Sequence, residues 1–287
     1  MTLLHQQASK EAFRFLQTWI FGIWLGIMLW DPLPDLAQYP TAGYTPTGLL
    51  LKMLPESMTP LIFSSPFLWG IKIGIIAVCL LIIVNRFKKF AGVIAVILLS
   101  LYQGIIRSFG HINHPEMMLL HSVLILTVFF FFEEKLDKVG FLDQAKKISV
   151  YSIPFILILF FFSFTYVFAG IHRIFFGGID VFTNDSLIYW VVENARRSRL
   201  INWNLDWIIL DFPWVAFIMK IGMALTTLAE IMAPFCLVSK WIRYAFLVII
   251  LPFHVFVWLF MGIMFWENVM LFILFFDFTP FFKKSVK

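Results

Sequence analysis

Residues 67–84 read FLWGIKIGIIAVCLLIIV: eighteen positions carrying one charge, Lys72. As an α-helix that run is about 27 Å long at 1.5 Å per residue, close to the ~30 Å hydrocarbon core of a bilayer. A membrane β-strand would alternate apolar and polar residues over about ten positions. Neither this run nor IPFILILFFF at 153–162 alternates, so helices are expected. Working outward, comparable segments lie at about 13–30, 91–107, 115–132, 151–174, 213–237, 241–261 and 264–281. The expected fold class is therefore all-α, a polytopic transmembrane helical bundle of about eight spans. It reads as one transmembrane domain over residues 1–287.

Composition agrees. Apolar residues make up 61% of the 287-residue chain and charged residues 14%, against about 25% charged in soluble domains. The 36 phenylalanines suit lipid-facing bulk, or aromatic packing around a flat ligand. Cys79 and Cys236 both lie in apolar runs without a CxxC partner, so neither a disulfide framework nor a zinc site is indicated. The first apolar segment ends at Trp30-Asp31-Pro32 without a small-residue cleavage site and reads as a retained helix.

The net charge of +5 is a loop feature and a topology signal, with no nucleic-acid footprint. Fourteen Lys and Arg fall on the side of the N-terminus, the 85–89 turn, the 133–149 loop, residues 240–243 and the C-terminal tail. Six fall on the other side, and Lys72 and Lys220 lie within spans. The excess puts both termini in the cytoplasm, which requires an even number of spans. Most loop tryptophans (Trp30, Trp69, Trp190, Trp203, Trp207, Trp214 and Trp266) then lie on the outer side as an interfacial belt. The expected place is a cell inner membrane, with membrane lipids as partners. No internal repeat supports an inverted-repeat transporter.

Ionisable groups inside spans are costly and are candidates for function. They are Lys72, Arg107, His121, His172, Arg173, Lys220, Glu230, His254 and Glu267. In RSFGHINHPEMMLLH (107–121), Pro115 suits the first position of a helix and His114 its cap. His121, two turns on, shares a face with His114. His111 and His114 have a spacing open to metal ligation, to hydrogen-bonding or acid–base work, or to capping alone. No nearby carboxylate pair or cysteine completes a metal set.

In YVFAGIHR (166–173), Ala169-Gly170 permits close helix packing, and His172 and Arg173 emerge at the outer interface or snorkel to headgroups. LAEIMAP (228–234) carries Glu230, and PFH (252–254) carries His254; Pro234 and Pro252 loosen their helices. Lys220, ten residues earlier on the same helix, is about 15 Å from Glu230 by helical rise. His254 is therefore the expected partner of Glu230.

These strings, with PFHVFVWLFMGIMFWENVMLF at 252–272, occur in an order that resembles the HTTM domain. That domain is the membrane part shared with vitamin K-dependent gamma-carboxylases, and the resemblance covers roughly 11–281. It implies a helical bundle with an active region on the external side, where a quinol is deprotonated and oxygenated. By position, His114 matches the family histidine after the third helix. Tyr166, Ala169 and Gly170 match its Y-x-x-A-G stretch, and His254 its late-helix histidine. Carboxylases follow that glycine with two lysines and an Asp-rich stretch, where this chain has His172-Arg173 and then Ile-Phe-Phe-Gly-Gly. Arginine holds its proton too tightly to replace a basic lysine. The chain also ends after the eighth segment, without the large soluble region that binds the carboxylase substrate. Glutamate carboxylation is therefore not expected.

The expected catalytic residues are His114, Arg173 and His254, with His111, His172 and Glu230 binding a ligand, a quinone or quinol. The alternatives are a non-enzymatic membrane subunit binding a lipid or partner, and a proton or small-molecule transporter using Glu230 and His254 as a relay.

Overall fold

The structure, a computed structural model, describes residues 8–40, 44–108, 115–139, 141–143, 148–197, 205–263 and 265–276. In chain order its helices are α1 Lys10–Trp30, α2 Leu49–Lys52, α3 Thr59–Ile62, α4 Ser65–Ile83, α5 Lys88–Arg107 and α6 Pro115–Val139. There follow α7 Ser152–Gly177, α8 Asp180–Thr183, α9 Ser186–Arg197, α10 Asp206–Asp211, α11 Pro213–Met232, α12 Lys240–Met261 and α13 Trp266–Leu271. A small antiparallel ribbon, β1 Phe141–Asp143 with β2 Ile148–Ser149, links α6 to α7.

Among the described residues seven helices are long and apolar enough to cross a membrane: α1, α4, α5, α6, α7, α11 and α12. Only 33–56% of each span is buried within the chain. Phe131, Phe132, Phe160, Phe161, Phe168, Phe175 and Phe176 are exposed, as lipid-facing bulk must be. The chain is a multi-pass membrane protein. Of the eighth expected span, 264–281, the described part is the short apolar helix Trp266–Phe275. Ten residues reach about half a bilayer core, and residues 277–281 lie outside the described set.

Local chemistry sets several ends. Ser9 caps α1 by accepting from the Ala12 N–H at 3.1 Å, and Ser239 caps α12 by accepting from the Ile242 N–H at 3.4 Å. Pro66 and Pro213 occupy first-turn positions of α4 and α11, where a missing N–H costs nothing. Gly262 ends α12 with φ +63, a conformation glycine adopts freely. The α4–α5 turn is tight, with Asn85 and Phe87 both at positive φ.

Contacts divide the described chain into two compact units, 8–158 and 159–276, with the boundary inside α7. The first unit packs α1 on α4 and α6, and α5 on α4 and α6. Gln17 donates to the Ile82 carbonyl at 2.6 Å. Lys88 pairs with Glu133, and Lys89 with Glu134 at 2.8 Å, tying α5 to α6. The Lys72 ammonium, inside α4, donates to the Asp31 carbonyl at 2.6 Å, while the Tyr102 hydroxyl donates to the Asp31 carboxylate. Burial raises the Asp31 carboxyl above the usual range, against the Tyr102 hydrogen bond and the Lys72 charge. Residues 44–54 fold back on the end of α5. Thr45 N–H donates to the Ser108 carbonyl at 2.9 Å, Thr47 N–H to Ser108 Oγ at 3.3 Å, and Thr47 Oγ1 to the Gly104 carbonyl at 3.0 Å. The second unit builds its core from α9, α11 and α12, around Leu187, Val191, Met219, Met223 and Val257.

Candidate functional site

Gly170 lets α7 meet α11 backbone to backbone. A Cβ there would lie 3.0 Å from Ile231, 3.1 Å from the Glu230 Cβ and 3.1 Å from the Thr227 carbonyl oxygen. Three residues on, and therefore on the same face, Arg173 reaches Glu230. Its Nη1 donates to Oε2 at 2.7 Å and its Nη2 to Oε1 at 3.1 Å. Nη1 also donates to Thr227 Oγ1 at 2.9 Å, and that hydroxyl donates to the Met223 carbonyl at 2.8 Å. The guanidinium carbon stands 5.7 Å from the Phe253 ring centre. Glu230 is buried, at 2% exposure. Two forked charge-assisted bonds satisfy a carboxylate that would otherwise be very costly in apolar surroundings.

The partner of Glu230 is thus Arg173, not the expected His254. Helical spacing excludes Lys220 correctly, and Lys220 pairs with Asp185 at 3.1 Å. What spacing along one helix does not report is which helix Gly170 brings close. Nor does Arg173 snorkel outward: its charge is spent inside the unit.

His254 sits on another helix face. Its Nδ1 lies 2.8 Å from the Ile250 carbonyl and its Nε2 3.3 Å from the Tyr166 hydroxyl. A ring nitrogen facing a carbonyl carries the proton, so Nε2 is the acceptor and Tyr166 donates. Phe253, Phe265 and Phe272 surround the imidazole with ring centres at 5.5–5.6 Å, and His254 is buried.

His172 points away from Arg173, exposed and stacked on Phe176 at 4.3 Å. His111 and His114 lie outside the described residues. His121 bonds the Met117 carbonyl of its own helix at 2.7 Å. Of the six expected site residues, the structure therefore brings Arg173 and Glu230 together directly. Phe253 stands under Arg173 and next to His254 in the chain. Among the described residues no three His, Cys, Asp or Glu side chains gather as a metal-ligand set.

Between α11 and α12 lies an apolar cleft of about 600 Å³, bounded by Leu187 and Val191 of α9 and by Trp214, Met223, Val248 and Phe253. Its size is that of a small-molecule site. Thr226, a buried residue, is among those that line it. A Cβ on Gly222, also in the wall, would meet nothing within 4 Å. Sequence reasoning does not reach this cleft. The available signal was a glycine, Gly222, and a proline, Pro252, on consecutive apolar helices. Phe253 connects the two features, with the Arg173 guanidinium over its ring and its side chain in the cleft wall. Comparisons with family models, with curated proteins and with solved structures find no match to this chain.

Proposed function

We propose that this membrane protein binds a lipid-soluble ligand of quinol type in the α11–α12 cleft. The observation that carries the reading is a cleft of about 600 Å³, apolar enough for a ring and the start of an isoprenoid tail, beside a satisfied ion pair. The order of HTTM-like strings supports the same ligand class. In this reading Phe253 contacts the ring and α11 and α12 contact the tail. Arg173 and Glu230 hold the wall of the site in place. Because its charge is neutralised by Glu230, Arg173 positions Phe253 rather than binding the ligand oxygen itself. Tyr166 and His254 form a proton-bearing pair behind that wall, able to pass a proton if the chain acts on its ligand.

The test is direct. Protein purified in mild detergent should carry a quinone in its lipid extract, detected by mass spectrometry. An added short-chain hydroquinone should raise the melting temperature. Gly222→Leu grows a side chain into open space, so it should fold, fill the cleft and abolish both effects. A wild-type extract without quinone, together with a melting temperature that no hydroquinone moves, would overturn the reading.

A further inference from the structure

An apolar cleft inside a bilayer does not by itself select anything, because lipid tails are as apolar as its walls. A polar feature must decide which occupant stays. One lies on α12, where Pro252 stands inside the helix. A proline has no N–H to donate to the carbonyl four residues back, here that of Val248. Val248, Ile249 and Pro252 all line the cleft, so this gap in the helix ladder lies in the cleft wall. In hydrocarbon no water replaces the missing donor, and an unsatisfied carbonyl is costly. Across the cleft the lining includes Thr226, a residue whose hydroxyl can give or take a hydrogen bond.

From this placement we infer that the cleft selects for a hydroxyl donor: the Val248 carbonyl accepts a hydrogen bond from the ligand. The ligand class is a lipid-soluble molecule with a ring hydroxyl, which rests on the reading that the cleft is a ligand site. A hydroquinone has such donors. Its oxidised quinone, and its dimethyl ether, carry only acceptors, and an acceptor set against the Val248 carbonyl gains nothing. The site therefore discriminates the reduced from the oxidised ligand by hydrogen-bond polarity, using backbone rather than a charged side chain. No electron or covalent step is involved; the selection is one of binding.

The test uses the full chain in lipid nanodiscs without oxygen, with a short-chain hydroquinone, its dimethyl ether and the corresponding quinone, and equilibrium dialysis as the readout. The expected result is that the hydroquinone binds roughly threefold to tenfold more tightly than either donorless form, the scale of one net hydrogen bond. Pro252→Ala restores an N–H at position 252 and so occupies the Val248 carbonyl. It should remove that preference, so that the hydroquinone and its dimethyl ether bind the variant equally. Thr226→Val, which keeps the shape and removes the hydroxyl, should leave a preference that Pro252→Ala still removes. Equal binding of all three compounds to the wild type would overturn the inference and leave the cleft as a general apolar site. So would a preference that survives Pro252→Ala in a variant whose melting shows it folded. Binding of none of the three would overturn the underlying function reading as well.

Discussion

Lys88 and Arg173 each pair with a glutamate from a neighbouring helix, but at different places along the spans. Lys88 is the first residue of α5, and Glu133 lies two residues from the end of the apolar stretch Met117–Lys135. Arg173 lies four residues inside the end of α7, and Glu230 seven residues inside Leu237, where its span ends. The first pair makes one contact beside a second, exposed pair, Lys89–Glu134. The second is forked, carries Thr227 as well, and leaves the Glu230 side chain 3% exposed, against 9% for Glu133. A charge near the end of a span reaches headgroups and water when its partner is lost. A charge a turn or two further in has only the partner. The same chemical pair is thus an accessory in one unit and a requirement in the other.

The all-or-none test of this contrast is topological. Reporters fused after Lys147 and after Lys287 should read cytoplasm, and one near Ser198 the outside. That result makes Lys88–Glu133 a cytoplasmic-end pair; an external C-terminus would instead mean that the segment beginning at α13 does not cross.

Among stability effects the largest is expected at Arg173. Arg173→Met leaves a buried carboxylate unpaired and should cost about 3–5 kcal/mol in detergent unfolding. Adding Glu230→Leu should recover most of that loss. A double variant no better than the single would show that the pair contributes more than mutual neutralisation.

Lys88→Met should cost ~1 kcal/mol or less, as near-surface pairs do. Equal losses at Lys88 and Arg173 would erase the distinction between the two units.

Next in size is the Tyr166–His254 contact. Tyr166→Phe and His254→Gln should couple by about 0.6 kcal/mol in a double-mutant cycle, the average for hydrogen bonds between membrane helices. A larger coupling of His254→Gln to Glu230→Gln than to Tyr166→Phe would contradict the geometry.

The smallest effect lies in the first unit, at Asp31. Burial raises its folded pKa, so the folded chain holds the proton more tightly than the unfolded one. That contribution is fully present below the ordinary carboxylate value of about 3.9 and fades as pH rises through the raised value. Asp31→Asn should flatten the fall in melting temperature above about pH 4. An unchanged slope would exclude Asp31 as its source.

Much of the fold was legible in particular residues. The run at 67–84 corresponds to α4, Pro115 does begin α6, and Ala169-Gly170 does mark a close helix contact. Those readings depend on local length, dihedral limits and side-chain size, which a sequence carries directly. The partner of Glu230 depends on how α7 crosses α11, and no spacing within α11 encodes that angle. The polar stretch at 175–212 hid α8, α9 and α10 because short helices packed on one face lack an apolar run. The cleft was illegible for a related reason: it is a space left between side chains of α9, α11 and α12, and each of those helices reads as ordinary apolar packing.

The segment at 44–48, Tyr-Thr-Pro-Thr-Gly, has the composition of a free linker, yet it is stitched to the end of α5. A helix leaves its last carbonyls without partners; Thr45 supplies a donor for that of Ser108, and Thr47 adds one to the Gly104 carbonyl that Ser108 already bonds. The amides of Thr45 and Thr47 can therefore exchange with heavy water only when the end of α5 frays. A protease added from that side should cut at this segment slowly and report on the helix beneath it, as though the loop were the last turn of α5.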